Sequence, residues 1–180
     1  MSASLDRLRE LLSKEGGLMG SLVGPIAGDC ERVEGPAQLA AAGPRAEGSR
    51  EDYELLIETI YEGYLLHFGA PRVALTVDDD LALLAGDRLY ALGLARLVAL
   101  GDIAAVVELA DTITLSALAQ GAGEPELADA VWAAGARAIG WGSSEAHRRA
   151  KELVLAGSHE AIEAMRTICD GPPPTPCAPR

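Results

Sequence analysis

Apolar residues recur at three- and four-residue spacing along most of this chain, and nowhere do they alternate with polar ones as a half-buried strand requires. Leu5, Leu8, Leu11 and Leu12 form one stripe, which predicts a helix over 4–14 ended by Gly16-Gly17. Ser49 is a good N-cap with Glu51 and Asp52 in its first turn, and a helix follows to about His67. Its stripe is Tyr53, Leu56, Ile60, Gly63 and Tyr64, and Gly69-Ala70-Pro71 stops it. Thr76 or Asp78 caps the next helix, which runs to Leu100, and Gly101-Asp102 recaps the chain for a helix over 103–120. Pro125 opens a further helix over 126–139, and Gly140-Trp141-Gly142 reads as a turn. Ser143 or Ser144 caps a helix to Leu155, and Gly157-Ser158 recaps the last one to Cys169.

The pattern therefore predicts an all-α fold: one bundle of about six packed helices plus an N-terminal helix. Residues 1–15 are the N-terminal helix. Residues 16–48 hold glycines, short apolar snippets and Pro25, Pro36 and Pro44, and read as a flexible linker or arm with a helical turn at 36–42. Residues 49–170 are the helical domain. The Pro-rich residues 171–180 read as a disordered tail.

Composition sharpens this picture. The 180 residues are 49% hydrophobic but only 4% aromatic, so the core is aliphatic and alanine-rich. With 15 basic and 27 acidic residues the net charge is −12, a field that repels phosphate backbones and anionic lipid, so nucleic acid is not an expected partner. Cys30, Cys169 and Cys177 form no Cys-x-x-Cys pair and lie at no zinc spacing, which fits unpaired thiols in a reducing cytoplasm. The N-terminal residues lack a basic region followed by an apolar one, so no signal peptide is expected. The longest apolar stretches contain Asp87, Arg88 and Arg96, or Glu108 and Asp111, and are read as core helices rather than membrane spans. The expected location is cytoplasmic.

The run Leu84-Ala85-Gly86-Asp87-Arg88-Leu89-Tyr90-Ala91 resembles the "L-A-G-D-x-L-x-A" helix of the trans-polyprenyl diphosphate synthases. Leu65-Leu66-His67 falls where that family has Leu-Leu-His ahead of its first aspartate-rich motif, but Phe68 and Gly69 stand where the aspartates are expected. The second aspartate-rich motif finds no paired acids near Ala136 to Gly142. Leu84-Ala85-Gly86-Asp87 followed by Gly101-Asp102-Ile103 is most similar to the small, metal-motif-poor component I of heterodimeric heptaprenyl diphosphate synthases. That resemblance implies a noncatalytic helper subunit, with no cofactor of its own and magnesium held by a catalytic partner. It implies an interface or tunnel role for Tyr64, Leu65, Asp87, Tyr90, Leu94 and Leu97. The alternative is an all-α interaction or scaffold protein, homo-oligomeric, with no isoprenoid role.

Asp78-Asp79-Asp80 is the one acidic triplet, either a displaced magnesium site or the acidic N-terminus of a helix. Asp87 sits in an apolar helix and is expected to be buried, lining a former substrate cavity or paired with Arg88, Arg96 or an arginine elsewhere. His67 is a candidate base, or a partner for the last carbonyls of its helix. His147 and His159 are expected to be solvated. His147-Arg148-Arg149 with Lys151 is the densest basic spot, a phosphate site or a solvated face. Gly86, Gly93, Gly135 and Gly140, within or beside helices, point to close helix approach.

Overall fold

A computed structural model of the chain describes residues 3–24, 35–74 and 78–170. Among them are nine α-helices: α1 (Ala3–Glu15), α2 (Gly17–Ser21), α3 (Pro36–Ala42), α4 (Arg50–Phe68), α5 (Asp79–Ala99), α6 (Ile103–Gly121), α7 (Pro125–Trp141), α8 (Glu145–Leu155) and α9 (Ala161–Asp170). The fold is all-α. The described residues hold no strand, only an isolated antiparallel bridge between Val23 and Ala74.

The all-α bundle that the pattern predicts divides into two compact units, 1–37 with 49–101 and 38–48 with 102–180. In the first unit α4 lies along α5, and α1 and α2 cover one side of that pair. Leu5, Leu8 and Leu12 of α1 share a core with Met19, Leu22, Leu66, Val73, Ala85 and Leu89. Glycines set how closely α4 and α5 approach. A Cβ at Gly63 would lie 2.9 Å from the Gly86 carbonyl oxygen, and one at Gly93 would collide with Ile60. The carboxylate of Asp78 accepts from the Leu81 amide at 3.1 Å and so starts α5.

The second unit packs α7 against α6 and α9, and α8 against α9. Its core includes Leu115, Ala128, Val131, Ala134, Ala150 and Met165. Asp102 starts α6, accepting from the Ala105 amide at 3.0 Å, and Ser144 starts α8, accepting from the His147 amide at 3.1 Å. Gly157, at φ 63°, ends α8: its amide and that of Ser158 return to the carbonyls of Val154 and Leu153.

Two expectations change. The segment 16–48 is not an arm throughout. Gly17–Ser21 and Pro36–Ala42 are helical, and Ala40, Ala41 and Ala46 are buried. Gly140 makes this possible, because a Cβ there would strike the Ala40 carbonyl. An alanine-rich face has little hydrophobic periodicity to advertise it, yet small residues pack well where a glycine admits them. The predicted turn over Gly140-Trp141-Gly142 comes at its last residue: α7 runs through to Trp141, and Gly142, at φ 93°, ends it. Residues 25–34 of the predicted arm, the alternative cap Thr76, and the tail 171–180 lie outside the described residues.

Candidate functional site

The two segments that carry the family resemblance meet in the first unit. The imidazole of His67, near the end of α4, occupies the space where a side chain at Gly86 of α5 would sit. Its Nε2 lies 3.3 Å from Asp87 Oδ1, close enough for an ion pair when the ring is protonated, though not aligned as a hydrogen bond. The ring stacks on Tyr90 with centroids 5.3 Å apart and planes 10° apart. Tyr61, Tyr64 and Phe68 extend this aromatic row along α4, with centroid spacings of 5.7 and 5.4 Å. Burial, followed by the nearby Tyr64 and Asp87, pushes the Tyr90 hydroxyl well above the usual tyrosine range, so it stays protonated and neutral.

Asp87 is not the buried carboxylate the sequence suggested. Its side chain is 70% exposed, and its partner is His67 rather than an arginine. His67 in turn does not act as a cap; the amide of Gly69 closes the end of α4 on the Leu65 carbonyl at 2.9 Å. Of the other candidate interface or tunnel residues, Tyr64 and Leu97 lie in the core, while Leu65, Tyr90 and Leu94 are half-buried. The outward face of α5 carries Leu84, Asp87, Arg88, Ala91, Ala95 and Val98.

The strongest polar cluster of this unit escaped the sequence reading. Glu62 is fully buried, and its Oε1 accepts from the amides of Arg72, Val73 and Ala74 at 2.7, 2.6 and 3.0 Å. Its Oε2 faces Arg72 Nε at 3.3 Å, while Glu58 Oε2 takes Arg72 Nη2 at 2.6 Å and Glu58 Oε1 takes Ser4 Oγ at 3.3 Å. Burial works against the charge on Arg72, but Glu58 and Glu62 outweigh it and hold the guanidinium above its ordinary value. The arginine also lies over the Tyr61 ring, 5.0 Å from its centroid. With its lone pairs engaged by three amides and a guanidinium, Glu62 acts as a clasp for the 72–74 turn. Glu58 and Glu62 at i, i+4 in the stretch of α4 that also carries Leu55, Leu56, Ile57, Ile60, Leu65 and Leu66 were the available signal, since buried carboxylates require partners.

The second unit holds a comparable cluster where α8 meets α6. Lys151 Nζ lies 3.0 Å from Glu108 Oε2 and 2.7 Å from Asp111 Oδ2, and His147 Nε2 lies 3.2 Å from the same Glu108 oxygen. His147 is 3% exposed, not solvated as expected. Burial disfavours the Glu108 carboxylate, but His147, Lys151 and Ser143 hold its pKa down at about 2. Arg148 and Arg149 pair with Glu145 on the surface, so the basic run divides between a buried network and a solvated face.

Asp78 is engaged as a helix cap, and Asp79 and Asp80 are exposed in the first turn of α5. Among the described residues no group of three or more His, Cys, Asp or Glu side chains is placed to hold a metal ion. A cleft of about 260 Å³ lies between α7 and α9, lined by Glu126, Asp129 and Arg166 among others. Arg166 pairs with Glu126 at 2.8 Å, and burial together with Glu126 raises the Asp129 carboxyl. Compared with protein-family models, curated proteins and solved structures, the chain matches none.

Proposed function

We propose that this protein is a noncatalytic helper subunit of a polyprenyl diphosphate synthase, which packs on a catalytic partner and helps shape its product tunnel. The observation that carries the reading is the contact of His67 with Gly86, Asp87 and Tyr90, which joins the two segments similar to the prenyl synthases. The contact is built from the very residues that the resemblance singles out. The outward face of α5, with Leu84, Ala91, Ala95 and Val98 beside the charged Asp87 and Arg88, offers a partner helix both apolar area and a polar register. Magnesium would belong to the partner, whose aspartate-rich motifs would clamp the diphosphate.

The test is consumption of isopentenyl diphosphate by a catalytic subunit carrying both aspartate-rich motifs, measured with and without this chain. The expected result is a higher rate and an altered product length in its presence, both lost in Leu84→Glu and Val98→Glu variants that keep their helicity. No gain in rate removes the reading. A second reading, an all-α interaction or scaffold protein that self-associates, is favoured by the exposed apolar side chains Ile103, Val107 and Leu118 of α6.

A further inference from the structure

We draw no further inference here: the strongest candidate, the exposed apolar stripe of α6 formed by Ile103, Val107 and Leu118, carries nothing, because nothing in the structure shows what covers it.

Discussion

His67 fills the space that a side chain at position 86 would need. Gly86 is therefore a packing requirement, not a flexible point, and its cost in helix propensity is recovered where α4 and α5 close on each other. Gly86→Ala is expected to destabilise the protein by about 1–2 kcal/mol, overpacking outweighing the propensity gain. His67→Ala in the same chain should restore most of that loss, giving a favourable coupling in a double-mutant cycle measured by urea unfolding. Gly121→Ala is the control: nothing lies within 4 Å of its Cβ position, so it should be neutral or stabilising.

The Glu62 clasp should be among the most sensitive positions of the first unit. Its carboxylate satisfies three backbone amides and faces Arg72, so Glu62→Ala strands four donors in the interior. The expected loss is about 3–5 kcal/mol, read as a shift of the urea midpoint at constant slope. Arg72→Met should also destabilise, and the Glu62→Gln, Arg72→Met pair should cost clearly less than the sum of the single changes. Additive losses would show that the two side chains are not coupled.

Acid should weaken the second unit through Glu108. Its pKa in the folded protein, about 2, lies below the ordinary 4.5. The ionised form therefore stabilises the fold above pH 4.5, and that contribution fades as the pH falls from about 4.5 towards about 2. With allowance for solvent screening it amounts to about 1–2 kcal/mol. Glu108→Gln should flatten this part of the stability–pH curve, and Glu152→Gln, on an exposed position of α8, should leave it unchanged.

The local features of this fold were legible, and the long-range ones were not. Asp78, Asp102 and Ser144 start their helices as their residue types suggest, because a cap depends on amides only three positions away. The interior glycines signalled close approach, though not what approaches: His67 at Gly86, Thr112 at Gly135, Ala40 at Gly140. His147 was misplaced because a histidine beside two arginines looks solvated, and only the arrival of Glu108 from another helix makes its burial tolerable. Asp87 was misplaced the opposite way. An apolar neighbourhood in sequence implied burial, whereas its side of α5 faces outward. The proposed interface residues divide for the same reason, since periodicity cannot tell which stripe of an all-round apolar helix is the covered one.

The segment 38–46 gives the sharpest test of the boundary that sequence pattern misjudged. Ala40 and Ala46 are buried, the Ala40 carbonyl lies against Gly140, and Arg45 holds Asp102 through two hydrogen bonds of 2.6 and 2.8 Å. Asp102 therefore does two jobs, starting α6 and anchoring this segment. Gly140→Ala should prise the segment away, seen as faster amide exchange over 38–46 and faster tryptic cleavage after Arg45, with α8 and α9 unaffected. Asp102→Asn should keep the α6 cap and weaken only the Arg45 pair, at under about 1 kcal/mol. Asp102→Ala should lose both, at about 1–2 kcal/mol. A segment that exchanges freely in the unsubstituted protein would instead restore the picture of a loose arm ahead of Ser49.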